Sequence, residues 1–96
     1  EAKKLLVSSL QDVDNEVRAE AATLLGKLQD PEDATPLLCS SLQDTCPQVR
    51  KNAALSLMKL EASNAIEALK IAQIHEQQND VKAVFAVAIN QISRDS

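Results

Sequence analysis

The chain has 96 residues, of which 45% are hydrophobic, with one Gly, three Pro, one Phe and no Tyr or Trp. So few glycines and aromatics, with much Ala, Leu, Lys and Glu, disfavour a β-sandwich or barrel and predict an all-α fold. The net charge of −4, without a cluster of basic residues, predicts no nucleic-acid partner. The longest apolar run, residues 83–89, is too short to cross a bilayer, so we expect no membrane partner.

The first two predicted helices precede residue 30. Apolar and small side chains recur at i, i+3 and i+4 from Ala2 to Leu10, which predicts a helix with one buried face. Residues 12–15, Asp-Val-Asp-Asn, interrupt it because short polar side chains favour caps and turns. A second stripe with the same spacing runs from Val17 to Leu28 and predicts the second helix.

The two-helix pattern then recurs twice at an interval of 32 residues. Val17 is repeated as Val49 and Val81, each followed by a basic residue, and units one and two are identical at 15 of 32 positions. Pro47 opens the second helix of unit two, where its missing N–H is not needed. We predict one domain of three repeats, residues 1–32, 33–64 and 65–96, with helices at 2–11, 15–28, 33–43, 47–60, 64–77 and 79–93. Whether the chain is a fragment of a longer array stays open.

Stacking of the units supplies the predicted core. A single two-helix unit cannot bury its apolar face, whereas neighbouring units bury a continuous core between them. The alanine pairs Ala21-Ala22 and Ala53-Ala54 allow the second helices to approach closely, with leucines such as Leu57 between the layers.

A family resemblance lies in the pattern L-x-D-x(4)-V-R-x-x-A-A-x-x-L, which occupies residues 10–25 and 42–57. It resembles the short HEAT-like repeats, in particular the type named after phycobilisome lyase subunits. In the third unit Glu76 and Lys82 replace Asp and Arg, and Phe85 replaces the first alanine of the pair. The resemblance implies a right-handed, armadillo-like α-solenoid of six helices, with first helices on the convex side and second helices lining the concave side.

Each unit carries an acid six residues before a basic side chain. We predict a structural role in preference to acid–base catalysis: the acid accepts N–H groups at the start of the next helix, and the basic residue bridges to an acid of the adjacent unit. In the families that the chain resembles, such residues form a ladder along the stack. The charge ladder is predicted to consist of Asp12, Arg18, Asp44, Arg50, Glu76 and Lys82.

No catalytic, cofactor-binding or metal-ligating residue is predicted. Some members of the resembling class are di-iron hydroxylases with His-Glu pairs directly after the V-R motif, but the single histidine, His75, lies elsewhere. Cys39 takes an apolar position and is predicted to be a buried hydrophobe. Cys46 is predicted to be exposed before a helix N-terminus, with a reactive thiol as the less favoured alternative. Two cysteines without a disulfide framework predict reduced thiols and a cytoplasmic location.

The second-helix side chains that point away from the core form the predicted partner-binding surface. This surface is mixed in unit one and becomes apolar toward the C-terminus at Leu55, Val84 and Val87. Three apolar side chains at one edge favour a partner surface or contact with a further repeat. We call this set the inner face: Glu16, Glu20, Thr23, Lys27, Gln48, Asn52, Leu55, Lys59, Asp80, Val84, Val87 and Gln91.

The chain is therefore predicted to be a non-enzymatic protein–protein interaction or scaffold module that binds a protein of unspecified identity through its inner face. Self-association through the open solenoid ends is a further expectation. The main alternative, which rests on the resemblance alone, is a subunit or fragment of a bilin lyase or a phycobiliprotein-handling factor. A DNA-repair solenoid is disfavoured by the acidic charge, and a designed or fragmentary solenoid without a function of its own is the last alternative.

Overall fold

A computed structural model describes residues 2–27 and 31–95 of the chain. The described residues form α-helices and one short 3-10 turn, Ser63–Ala65, without a strand. The prediction of an all-α fold is thus confirmed. The helices are α1 (Ala2–Ser9), α2 (Asn15–Leu25), α3 (Pro31–Ser41), α4 (Pro47–Lys59), α5 (Ile66–His75) and α6 (Asn79–Asp95).

The predicted helices are all found, but several ends differ from the prediction. α1 ends two residues early because the N–H groups of Gln11 and Asp12 bond three residues back, to Ser8 and Ser9, which tightens the last turn. A 3-10 turn takes the place of the predicted start of α5. α2 ends at Leu25, with Gly26 as its C-cap residue, so the predicted end at Leu28, which itself lies outside the described residues, is three residues too late.

The second helices form one packed layer. α4 packs against α2 on one side and α6 on the other, and each first helix packs on the second helix that follows it. Direct contacts between the first helices are sparser, as expected of an α-solenoid in which the second helices lie on the inner side. The molecule measures 33 × 28 × 15 Å. No helix among residues 2–27 and 31–95 has the length and apolarity needed to cross a membrane.

The core runs continuously through the stack. Leu25, Leu57 and the alanines Ala22 and Ala54 have no exposed surface, so the small side chains do allow close helix packing. Phe85, which stands where the other units have alanine, is also fully buried. The phenyl ring belongs to the core cluster and adds side-chain volume at a position where the other units have only a methyl group.

Gly26, the C-cap residue of α2, lies close against Ser56 of α4. A Cβ atom on Gly26 would lie 2.5 Å from the Ser56 Oγ and 2.9 Å from the Ser56 Cα. The hydroxyl of Ser56 donates a hydrogen bond of 2.6 Å to the carbonyl oxygen of Ala22. Gly26 has an ordinary helical φ of −69°, so it is required here for space and not for backbone conformation.

Helix α4 ends in a Schellman motif with an unusual residue. The N–H of Ala62 bonds to the carbonyl of Leu57, and the N–H of Glu61 bonds to that of Met58. This geometry places Glu61 in the left-handed region, at φ 52°. Glycine is favoured there because a Cβ atom clashes with the backbone.

Candidate functional site

The first rung of the charge ladder joins units one and two. Arg18 donates from Nε to Oδ2 of Asp44 at 2.9 Å and from Nη2 to Oδ1 at 3.0 Å. The third nitrogen, Nη1, donates to the carbonyl oxygen of Asp12 at 2.8 Å. One guanidinium therefore holds the α1–α2 loop and the α3–α4 loop together, and the bidentate geometry fixes their relative orientation.

The second rung has the same geometry one repeat later. Arg50 donates from Nε to Oε1 of Glu76 at 2.7 Å and from Nη2 to Oε2 at 2.9 Å, while Nη1 binds the carbonyl oxygen of Asp44 at 2.7 Å. The side chain of Glu76 is only 3% exposed. Glutamate in place of aspartate therefore preserves the rung in unit three.

The ladder acids also organise the loops that follow them. The carboxylates of Asp12, Asp44 and Glu76 each accept the backbone N–H two residues on, from Asp14, Cys46 and Gln78. Each acid thus stabilises the turn that leads from the loop into the second helix of its own unit.

Pairing sets the ionisation of the ladder. The hydrogen bonds from Arg50 lower the pKa of Glu76 against the opposing effect of burial. Burial by itself would raise the pKa of Asp44, but the bonds from Arg18 and from the N–H of Cys46 outweigh it, so this pKa is also lowered. Both acids are held as carboxylates, which suits an ion-pair role and provides no proton donor near neutral pH.

The two ends of the ladder are open in the part of the chain that the structure describes. Asp12 is exposed, and its carboxylate bonds to the N–H of Asp14. Lys82 is exposed on α6, and its ammonium contacts no carboxylate among the described residues. The bonded rungs therefore lie between units, and none of them lies within a unit.

The polar part of the inner face is partly engaged in contacts between helices. Asn52 is half-buried and donates from Nδ2 to the carbonyl oxygen of Ala19 at 3.0 Å, while Gln48 donates to its Oδ1. Asp80 forms an ion pair of 3.1 Å with Lys51, and the hydrogen bond from Lys51 lowers the pKa of Asp80. Thr23 is half-buried, and the remaining polar members are exposed: Glu16, Glu20, Lys27, Lys59 and Gln91.

The apolar part of the inner face lies on α4 and α6. Leu55 is 37% exposed and Val87 is 50% exposed, and these two residues occupy the same position in consecutive repeats. Val84 is half-buried and packs against the core, one helical turn before Val87. The inner face thus offers a small apolar patch at its C-terminal half, beside polar side chains.

An open cleft of about 540 Å³ lies on the loop side of units two and three. Its apolar wall includes Leu42 and Ile71, and its rim includes His75 and the paired Arg50 and Glu76. The Nδ1 atom of His75 lies 3.0 Å from the carbonyl oxygen of Ile71. No group of side chains suited to a metal ion occurs among residues 2–27 and 31–95.

Neither cysteine forms a disulfide. Cys39 is half-buried and burial raises the pKa of its thiol, so this position is less enclosed than predicted. Cys46 is also half-buried, so the prediction that it is exposed is wrong. It serves as the N-cap residue of α4 without a side-chain cap bond, and its backbone N–H donates to the carboxylate of Asp44 at 2.9 Å.

Ser56 is a structural residue that the sequence analysis missed. It is 2% exposed and bridges α4 to α2. Its equivalents in the other units are Leu24 and Ala88, so the repeat pattern gave no sign of a hydroxyl here. The pairing of a lone glycine with a serine of the next unit appears only in three dimensions.

The family model described as HEAT repeats matches residues 3–90. The chain belongs to the HEAT-repeat family. This confirms the predicted resemblance and agrees with the stacked helix pairs and inter-unit rungs described above.

One curated relative matches nearly the whole HEAT-repeat chain. The bilin biosynthesis protein MpeU of Synechococcus sp. (strain WH8020) is 46% identical over 94 residues. The match covers 98% of this chain and 32% of the relative, so the chain spans about a third of the length of that protein.

The prediction that the chain is not an enzyme is contradicted by this relative. The similarity extends over nearly the whole chain, and the relative is named for a biosynthetic role. The prediction relied on the lack of a recognisable catalytic constellation in the sequence, and a fold by itself does not determine whether a protein has an activity.

Proposed function

We propose that this HEAT-repeat chain acts in bilin biosynthesis, as a subunit or fragment of a bilin lyase or a phycobiliprotein-handling factor, and that it holds a protein partner on its inner face. The observation that carries the proposal is the 46% identity over 98% of the chain to a protein named for bilin biosynthesis. The partner expected in this setting is an apo-phycobiliprotein, the protein that receives the bilin.

The inner face supports the choice of surface. Leu55 and Val87 leave apolar area exposed on neighbouring helices, and charged side chains such as Glu20 and Lys59 are exposed on the same inner face. An apolar centre with a polar rim is the usual arrangement of a protein-binding surface. Two bidentate ion pairs, Arg18 with Asp44 and Arg50 with Glu76, join neighbouring units, and a surface that is already ordered loses less entropy on binding.

The first test addresses the bilin setting. Biliverdin, an open-chain tetrapyrrole, is mixed with the chain, with an apo-phycobiliprotein, and with both, and the visible absorbance is recorded. We expect the band of the pigment to shift or sharpen in the three-component sample beyond the sum of the two-component samples. Identical spectra in the summed and combined samples would refute the proposed role in bilin handling.

The second test addresses the inner face. Val87→Glu places a charge in the apolar patch, and Ile74→Glu makes the same apolar-to-acid change at an exposed position on α5, outside the inner face. We expect Val87→Glu to weaken binding of the apo-phycobiliprotein about tenfold, and Ile74→Glu to leave it nearly unchanged. Equal affinities for wild type and Val87→Glu would remove the patch from the proposed site.

A cytoplasmic location is part of the proposal. Cys39 and Cys46 are both free thiols, which are typical of reducing compartments. Fractionation of cells that express the tagged chain checks this, and recovery in a membrane or secreted fraction would contradict it.

A further inference from the structure

The inner face is ordered into rows that run across the second helices. Residues 32 positions apart occupy equivalent places on α2, α4 and α6, so each inner-face position repeats from helix to helix. One row consists of Thr23, Leu55 and Val87, and we call it the central row. Leu55 is 37% exposed although a second helix packs on either side of α4. Its exposure is therefore a property of the surface inside the stack.

The charged members of the inner face are sorted by sign on either side of the central row. Glu16 and Glu20 are exposed on the side where the second helices begin, and we call them the acidic edge. Lys27 and Lys59 are exposed on the side where these helices end, and we call them the basic edge. None of these four residues forms an ion pair within the described part of the chain. Their charges are thus available to a partner.

The space between the two edges has the width of a helix. Glu16 and Lys27 are eleven residues apart, along α2 and the turn that follows it. This separation is roughly 16 Å at a rise of about 1.5 Å per residue. An α-helix with its side chains is about 10–12 Å across, so a helix laid over the central row would lie between the edges and contact both.

The spacing of the central row favours a helix over an extended segment. Packed helices have axes about 8–10 Å apart, so Leu55 and Val87 are about one such step from each other. Seven residues of an α-helix cover about 10 Å and return to the same face, so its residues i and i+7 can contact both side chains. In a strand the same step is about three residues, which places the second side chain on the opposite face.

A polyproline segment also returns to the same face after about three residues, but its recognition depends on grooves lined by aromatic side chains. The only aromatic residue of the chain is Phe85, and it is fully buried. The inner face therefore lacks the side chains that such a segment requires.

We propose that the inner face receives an amphipathic α-helix of the partner, laid across α2, α4 and α6, with apolar residues seven apart over the central row. The acidic flank of this helix meets the basic edge, and its basic flank meets the acidic edge. The inference rests on the proposed function, in which the inner face holds a protein partner. It adds the structural element and the charge pattern that the partner presents.

Fluorescence anisotropy with labelled synthetic peptides tests the proposal at about 0.15 M salt. Each peptide is an alanine-based helix with one leucine in every seven residues, and about 21 residues are enough to span the three second helices. The sorted peptide carries Glu along one flank and Lys along the other. The mixed peptide has the same composition, with Glu and Lys alternating on both flanks. The basic peptide carries Lys on both flanks.

Two double variants of the chain are compared with the wild type. Lys27→Glu with Lys59→Glu makes both edges of the inner face acidic. Lys4→Glu with Lys70→Glu is the matched control, because it makes the same change in net charge at exposed positions on the first helices α1 and α5. Circular dichroism establishes that both variants are folded.

We expect the wild type and the control to bind the sorted peptide about fivefold more tightly than the mixed peptide. In the variant with two acidic edges, the affinity for the basic peptide relative to the sorted peptide should rise about fivefold above that ratio in the control. Val87→Glu, in the central row, should weaken binding of the sorted peptide about tenfold. A wild type that binds the sorted and mixed peptides equally, or binds neither up to about 1 mM, would overturn the proposal.

The peptide measurement fails separately from the tests of the proposed function, because neither biliverdin nor an apo-phycobiliprotein takes part in it. If the apo-phycobiliprotein binds the inner face but the peptides do not, the helix is refuted and the proposed function stands. If the peptides bind as expected but the biliverdin spectra are merely additive, the role in bilin handling is refuted and the helix-binding surface stands.

Discussion

Replacement of Arg50 by methionine should weaken the fold more than a typical surface substitution. The change removes both bonds to Glu76 and the bond to the carbonyl of Asp44, while the apolar stem of the side chain is roughly preserved. The carboxylate of Glu76, whose side chain is 3% exposed, is left with the N–H of Gln78. Removing one partner of a buried ion pair costs about 3–5 kcal/mol. Because the Arg50 side chain keeps 16% exposure, we expect the low end, about 3 kcal/mol.

Thermal and urea unfolding measure this loss. In a domain of this size, about 3 kcal/mol corresponds to a fall in Tm of about 15 °C. Arg50→Lys, which keeps the charge but loses the bidentate geometry, should fall between wild type and Arg50→Met.

A double-mutant cycle separates the pair from other effects of the substitutions. Arg50→Met, Glu76→Gln and the double variant should show a coupling free energy of about 1–3 kcal/mol. If the two single losses add to within about 0.5 kcal/mol, then the rung contributes no specific stability and our account of the ladder is incorrect.

The remaining predictions concern pH, backbone strain and packing. The pKa of Glu76 in the folded chain is below its unfolded value of about 4.3. Its contribution to the free energy of unfolding is therefore present above about pH 4.3 and is lost as the pH falls through the folded pKa. The free energy of unfolding of Glu76→Gln should thus depend less on pH in that acidic range than that of the wild type. Parallel plots of this free energy against pH for the two proteins would contradict the prediction. Glu61→Gly should raise the free energy of unfolding by about 1 kcal/mol, because it removes the Cβ atom from a residue in the left-handed region. An unchanged free energy in urea unfolding would contradict the idea that Glu61 is strained. Gly26→Ala should cost about 1–3 kcal/mol because its Cβ meets Ser56, and Ser56→Gly in the same chain should recover part of it. Leu57→Ala should cost about 2–5 kcal/mol as measured by urea unfolding.

Much of the helical architecture could be predicted because it repeats. The 32-residue spacing, the apolar stripes and the polar breaks are local signals, and three copies of each reinforce one another. Helix ends were less predictable, since the 3-10 turn before α5 and the Schellman motif at Glu61 arise from capping bonds. Position 61 is a glutamate, so the sequence lacks the glycine that usually indicates such a turn.

The inner face was harder to predict residue by residue. Helical periodicity placed three polar residues on the inner face, where we expected them to be available to a partner: Gln48, Asn52 and Asp80. In the structure, Asn52 binds a carbonyl of the preceding unit and Asp80 pairs with Lys51. Helical periodicity shows which side of a helix a residue lies on, but it does not show how far the neighbouring helix reaches around that side.

The spacing of charges in the sequence led us to predict a ladder of acids and bases, because each unit repeats the same pair six residues apart. A bridge from each basic residue to the adjacent unit was part of that prediction, but only the tertiary structure showed that Arg18 binds Asp44 through two nitrogens and its own unit's Asp12 through the backbone carbonyl. The reason is geometric: the acid of each unit is turned toward the start of its own second helix, while the guanidinium lies at the boundary between two helix pairs. The same boundary explains the fit of Gly26 against Ser56, since the separation of two stacked units is set by their combined surfaces.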